Sequence, residues 1–90
     1  MTQTIEDQIA ELAMKREVNK QLLFEKVALR LRRKELFFVH GEPTSLQDRI
    51  ALDSEIATLE ADRQRSKVQM LQLKKQAREA DRQREQNAAA

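Results

Sequence analysis

Apolar residues recur along most of the chain at alternating steps of three and four, the spacing of a coiled-coil heptad. This spacing predicts two helices, because it aligns the apolar residues along one side of each helix. In the second half of the chain this seam consists of Leu52, Ile56, Leu59, Arg63, Ser66, Met70, Leu73, Ala77 and Ala80. In the first half it consists of Ile5, Ile9, Leu12, Arg16, Asn19, Leu23, Val27 and Leu31, and ends on two steps of four.

A short segment between the two seams contains both helix-breaking residues, Gly41 and Pro43. Gly41 can adopt the left-handed conformation that ends a helix, and Pro43 cannot continue one. Thr44 or Ser45 can then cap the second helix, as Thr4 can cap the first. We predict a single domain over residues 1–90, with helix 4–38, loop 39–44, helix 45–85 and a frayed tail 86–90.

The two seams match each other when the helices run antiparallel. In that register Leu23 meets Leu59, and Leu31 meets Leu52. The polar interruptions of the seams also meet, in one layer formed by Arg16, Asn19, Arg63 and Ser66. Because a shifted pairing would bury these polar groups against leucine, we expect the layer to set the register.

Charged residues follow the same antiparallel register. Towards the loop, the basic residues Lys26, Arg30, Arg32, Arg33 and Lys34 fall beside the acidic residues Asp48, Asp53 and Glu55. At the other end, Glu6, Asp7 and Glu11 fall beside Lys74, Lys75 and Arg78. Each exposed ion pair contributes little stability, but together the pairs disfavour wrong registers. The sequence therefore predicts an all-α, antiparallel two-helix coiled-coil hairpin.

Each helix also carries a second apolar line, which a two-helix hairpin does not need. The line on the first helix is Val18, Leu22, Leu29 and Leu36, with Phe24 on the other side of the seam. The line on the second helix is Leu46, Ile50, Ala57, Val68 and Leu71. We expect the lines to join near the loop into one surface that marks an interaction site. Self-association into a homodimeric four-helix bundle is favoured over docking of a different protein.

Three further residues, Phe37, Phe38 and Val39, immediately precede the loop. We expect them to pack against Leu46 and Ile50 and close the end of the hairpin, rather than to anchor the chain on a membrane. The longest apolar run of the chain has four residues and is too short to span a bilayer. No signal-peptide pattern is present at the start of the chain, which favours a cytoplasmic location.

The composition argues against an enzyme. The chain has no Cys and one His, which excludes Cys-based zinc sites, thiol chemistry and His-cluster metal sites. It has neither a glycine-rich phosphate loop nor an HExxH pattern. A narrow hairpin also lacks a pocket in which catalytic groups could converge. We therefore predict no catalytic residues, no metal, no cofactor and no small-molecule substrate.

A cluster of basic residues lies at the middle of the hairpin. This candidate anion or nucleic-acid belt consists of Lys15, Arg16, Lys20, Arg63, Arg65 and Lys67. The net charge of the chain is only +2, and no aromatic residue lies in the belt to stack on bases. A solvated face with ion pairs between the helices is therefore the favoured interpretation. The loop tip, with His40 and Glu42, is a further candidate contact, although a plain connector is favoured there.

From these patterns we expect a non-enzymatic protein–protein interaction module. Such a chain suits a small regulator, inhibitor or adaptor of the kind that phages and mobile elements encode, and acts by binding the surface of a larger protein. Its expected partners are a second copy of itself and that unidentified protein. The alternatives are a nucleic-acid-binding accessory protein that uses the basic belt, and a purely structural oligomeriser.

Overall fold

The computed structural model describes residues 3–89, which form two long antiparallel helices, α1 (Ile5–His40) and α2 (Leu46–Ala89). The hairpin measures 74 × 24 × 16 Å. The predicted all-α hairpin is thereby confirmed. Neither helix in this part of the chain has a stretch apolar enough to cross a membrane.

Helix α1 begins and ends at the residues whose sequence signals predict its ends. Thr4 has an extended backbone, and its Oγ1 accepts a hydrogen bond of 3.1 Å from the backbone N–H of Asp7. Gly41 adopts the left-handed conformation with φ of 67°. The N–H groups of Gly41 and Glu42 donate to the carbonyl oxygens of Phe37 and Leu36, both at 3.1 Å. These two bonds satisfy carbonyls that the end of a helix leaves without a partner.

Helix α2 begins after Ser45, which serves as its cap instead of Thr44. The Oγ of Ser45 accepts a hydrogen bond of 3.0 Å from the backbone N–H of Asp48. The helix continues to Ala89, whereas the sequence predicts its end at residue 85 and fraying beyond it. The reason is that residues 86–89 are Gln, Asn and Ala, with no glycine or proline to stop the helix. Ala90 lies outside the described residues.

The core of the hairpin is small and lies in the half nearer the loop. Leu23, Leu52 and Ile56 are buried together, and Val27 and Leu59 pack against them. Met70 is buried separately, farther from the loop. The other seam residues towards the open end are partly buried: Ile5, Ile9, Leu12, Leu73, Ala77 and Ala80. The seam of α2 therefore follows the predicted heptads, except at Arg63, which is exposed.

The seam of α1 departs from the prediction beyond Val27. Leu31, which we expected to meet Leu52, is 61% exposed, whereas Arg30 is partly buried. Two successive steps of four rotate a position by about 80° around a helix, which carries Leu31 away from α2. A step of seven from Leu23 instead leads to Arg30. The aliphatic stem of an arginine can cover apolar surface while its charged end reaches an acid.

Ion pairs between the helices confirm the predicted register in the half nearer the loop. Lys26 Nζ lies 2.8 Å from Glu55 Oε2, and Arg30 Nη1 lies 3.7 Å from Asp53 Oδ1. At the open end the expected pairing differs, because Glu11 pairs with Lys15 of its own helix at 3.4 Å. Within residues 3–89, no ion pair joins the helices at that end.

The apolar residues beside the loop do not close the end of the hairpin. Phe38, Val39, Leu46 and Ile50 are all strongly exposed, and Phe37 is half exposed. Phe37 and Phe38 pack edge to face, with ring centroids 5.1 Å apart. The turn is already fixed by the backbone hydrogen bonds around Gly41, so these side chains are not needed to close it. The expectation that they pack together is wrong.

Candidate interaction surfaces

The residues of the two second apolar lines are exposed along the hairpin. Leu36 alone among them is partly buried. The exposed members are Val18, Leu22, Phe24, Leu29, Leu46, Ile50, Ala57, Val68 and Leu71. Each line therefore presents an apolar surface that no other part of residues 3–89 covers.

The line on α2 lies on the face of the hairpin that carries Asp53. Asp53 and Glu55 lie on opposite sides of the α2 seam, because residues two positions apart in a helix are separated by about 200° around its axis. Asp53 pairs with Arg30 on one face. Ile50 and Ala57 precede and follow Asp53 by three and four residues, which places them on the same side of α2. We call this side the cleft face.

The line on α1 lies on the other side, which we call the opposite face. Glu55 pairs there with Lys26. Leu22 and Leu29 flank Lys26 at four and three residues, so they share its side of α1. The two lines thus lie on different faces, and the expectation that they join near the loop is wrong. The cause is that the two lines lie on opposite sides of their own seams, whereas antiparallel helices turn their corresponding sides toward the same face.

A different set of α1 residues completes the cleft face. Phe24, Leu31 and Phe38 follow one another at steps of seven and are 75%, 61% and 78% exposed. Phe38 lines the same cleft as Asp53, which fixes the side of α1 on which this set lies. The sequence pattern predicts Leu31 in the core and Phe38 at the closed end of the hairpin. The seven-residue spacing of Phe24, Leu31 and Phe38 is the sequence signal that could have identified them as one line.

A cleft of about 470 Å³ lies on this face near the loop. Its walls come from both helices and from Thr44 of the loop. It is lined by Arg30, Arg33, Lys34, Phe37, Phe38, Thr44, Arg49, Leu52 and Asp53. The cleft therefore combines four cationic side chains with two aromatic rings. Its single carboxylate is already paired with Arg30.

A second, shallower groove of about 680 Å³ lies on the same face at mid-length. Its lining is Arg16, Leu23, Ala57, Glu60, Ala61, Arg63, Gln64 and Lys67. Together the two grooves are lined by seven Lys or Arg residues and two acidic residues. The whole chain has a net charge of only +2. The linings of these two grooves thus carry an excess of positive charge.

The predicted polar layer adjoins this mid-length groove. Asn19 Nδ2 donates a hydrogen bond of 3.2 Å to the carbonyl oxygen of Leu59, one turn before Arg63. Ser66 Oγ donates to the carbonyl of Arg63 in its own helix at 2.9 Å. Two buried atoms of the layer, Arg16 Nε and Asn19 Oδ1, have no hydrogen-bond partner among the described residues.

The predicted basic belt is divided by the structure. Lys15 and Arg65 form ion pairs within their own helices, with Glu11 and Asp62. Three belt residues line the mid-length groove together: Arg16, Arg63 and Lys67. Lys20 is exposed. The belt is therefore not one continuous cationic surface, and its cations on the cleft face extend the cationic lining of the loop-end cleft.

The groove on the opposite face has a balanced charge. A shallow groove of about 380 Å³ near the open end is lined there by Gln3, Gln8, Glu11, Leu12, Lys15, Gln69, Gln72, Leu73 and Gln76. Hydrogen bonds to Glu11 from Gln3 and from Lys15, together with the charge of Lys15, lower the pKa of this carboxyl. Glu11 is therefore held ionised, and its charge balances that of Lys15.

The loop tip carries the two candidate contact residues, His40 and Glu42. His40 ends α1, Glu42 follows the turn, and both are exposed. In the part of the chain that the structure covers, no group of His, Cys, Asp or Glu side chains is arranged to hold a metal ion.

No protein-family model, curated protein or solved structure matches this chain.

Proposed function

We propose that this chain is a non-enzymatic protein-interaction module, which pairs with a second copy and acts as a small regulator, inhibitor or adaptor on a larger protein. The observation that carries the proposal is the excess of apolar surface. Thirteen large apolar side chains of the described residues are exposed and four are buried. The accessible surface is 7711 Å², whereas a compact monomer of this mass exposes about 5,400 Å².

The opposite face is the better surface for the second copy. Its line of Val18, Leu22, Leu29 and Leu36 is apolar, and its surroundings carry balanced charge. A two-fold axis brings the same line of both copies together, so a neutral and apolar surface is complementary to itself. The resulting four-helix assembly needs to bury about 800 Å² of each copy, which is well below the excess surface.

Size-exclusion chromatography with light scattering tests this pairing. We expect twice the chain mass of 10.5 kDa for the wild type at micromolar concentration. The double variant Leu22→Lys/Leu29→Lys should be monomeric, because it places charges in the two-fold contact. Leu71→Lys is the control, since it introduces a single lysine at an exposed position of the cleft face. Circular dichroism checks that each variant remains helical.

Two results would contradict the pairing. A wild-type chain that stays monomeric at micromolar concentration excludes self-association as the use of the α1 line. The second is a dimer that is disrupted by Leu71→Lys but not by Leu22→Lys/Leu29→Lys. This result would assign the contact to the cleft face instead.

A nucleic-acid-binding accessory protein is the second candidate function. The cationic lining of the two grooves on the cleft face favours it, because Lys and Arg contacts to phosphate dominate such binding. Binding of this kind weakens steeply with salt, so titration of a labelled DNA duplex at low and high salt tests it. Absence of binding at low salt excludes this function.

A further inference from the structure

We infer that the cleft face binds an acidic, amphipathic helix of a partner protein. This inference rests on the proposed function as an interaction module and adds to it the chemistry of the partner. It is carried by two properties of one face, exposed apolar residues on each helix and an excess of cationic side chains in the linings of its two grooves.

The apolar residues of the cleft face form a seat for one more helix. On this face α1 exposes Phe24, Leu31 and Phe38, and α2 exposes Ile50 and Ala57. Phe38 lines the cleft near the loop, and Ala57 lines the groove at mid-length. From Phe24 to Phe38 this seat is about 21 Å long, which equals about four turns of a docked helix. A helix laid there would complete a three-helix packing, in which its own apolar side faces the groove.

The charges around this seat favour a partner helix that carries negative charge. Seven cationic and two acidic side chains line the two grooves. One of these acids, Asp53, is 3.7 Å from Arg30 and is thus already paired. A partner helix with carboxylates on its flanks would meet Lys34 and Arg49 near the loop, and Arg63 and Lys67 at mid-length.

The same charges argue against the other occupants of this face. A second copy of the chain would bring an identical cationic surface against the first, and like charges across an interface are repulsive. A nucleic acid would satisfy the cations but has no aliphatic surface to cover Leu31, Ile50 and Leu46, which are all strongly exposed. An acidic amphipathic helix satisfies both properties.

Fluorescence anisotropy with a labelled designed peptide tests the inference. The probe is a helical peptide of about 21 residues with Leu at heptad positions a and d and with Glu and Ala elsewhere. Its matched control replaces every Glu by Lys. We expect the acidic peptide to bind at least about tenfold more tightly than the basic one, with an affinity that falls as salt is raised.

Variants of the chain locate the binding surface. Lys34→Glu and Arg49→Glu should each weaken the acidic peptide by about tenfold, because each replaces attraction in the cleft by repulsion. Phe38→Ala should also weaken it, by removing an apolar contact. Arg32→Glu is the matched control: it makes the same charge change at an exposed residue outside both groove linings, and should leave the affinity within about twofold.

Several outcomes would overturn the inference. One is equal affinity for the acidic and basic peptides. Another is an equal effect of Lys34→Glu and Arg32→Glu on the affinity for the acidic peptide. The third is no binding of the acidic peptide at a concentration of about 100 μM. Tighter binding of a DNA duplex that Lys34→Glu abolishes would assign the face to nucleic acid instead. A chain that light scattering shows to be dimeric but that ignores the acidic peptide overturns the partner chemistry alone, and leaves the proposed pairing intact.

Discussion

Asn19 is the polar side chain that most directly links the two helices. Its amide donates to the backbone of Leu59, while its carbonyl oxygen and the nearby Arg16 Nε lie buried without a partner in residues 3–89. The sequence predicts that this layer is polar and where it lies, because both seams are interrupted there. It does not predict the partners. Arg63, expected opposite Asn19, is exposed, since a long arginine side chain can extend to water.

Replacement of Asn19 by leucine tests the energetic role of this layer. Asn19→Leu keeps the side-chain shape, removes the unpartnered carbonyl and adds apolar contact with the core, so we expect the free energy of unfolding to rise by about 1 kcal/mol. Urea denaturation followed by circular dichroism measures it. Asn87→Leu, at an exposed residue near the end of α2, is the control and should change stability by less than about 0.5 kcal/mol. A destabilised Asn19→Leu would show that the hydrogen bond to Leu59 outweighs the unpartnered atoms.

At the scale of the helices, local signals were sufficient to predict three of the four ends to within two residues. Thr4, Gly41 and Ser45 each fix an end through their own backbone and side-chain geometry. The end of α2 carries no such signal. The side of α1 that faces α2 beyond Val27 is also not a local property. Beyond Val27, the side that faces α2 depends on whether the heptad spacing or the steps of four continue. Contact with α2 decides between these two spacings.

Gly41 offers a test of the turn that joins the helices. Its φ of 67° disfavours any residue with a side chain, although no atom lies within 4 Å of where a Cβ would stand. Gly41→Ala should therefore lower the free energy of unfolding by about 1 kcal/mol through backbone strain alone. Gly41→Asn should lower it by less, because asparagine tolerates this conformation better. Thermal unfolding compares the two, and equal stability of the wild type and Gly41→Ala would contradict this account of the turn.

At the scale of the whole molecule, the two faces differ in charge although the chain is nearly neutral. The sequence predicts a basic cluster at mid-length, but not the cationic cleft beside the loop. That cleft joins Arg30 and Arg33 of α1 to Arg49 of α2, which lie far apart along the chain and meet only through the register. The apolar lines were predicted as exposed sets, whereas their distribution over two faces follows from the antiparallel arrangement.

Self-association of this hairpin predicts a stability that depends on concentration. If two copies pair in the folded state only, a tenfold rise in protein concentration should stabilise the dimer by about 1.4 kcal/mol. Urea denaturation at two concentrations measures the effect. The double variant Leu22→Lys/Leu29→Lys should lose the dependence. A wild-type unfolding midpoint that is independent of concentration would argue that the hairpin is stable as a monomer.

The turn at Gly41 also determines what the hairpin can reach. Because the chain reverses direction once, the start of α1 at Ile5 and the end of α2 at Ala89 both lie at the end opposite the loop. The cleft around Arg33 lies about 40 Å along α1 from Ile5. A tether or a label at either terminus therefore stands clear of the cleft. Fixed by its ends to a larger body, the hairpin is a stiff arm that holds the cleft out into the surrounding solvent.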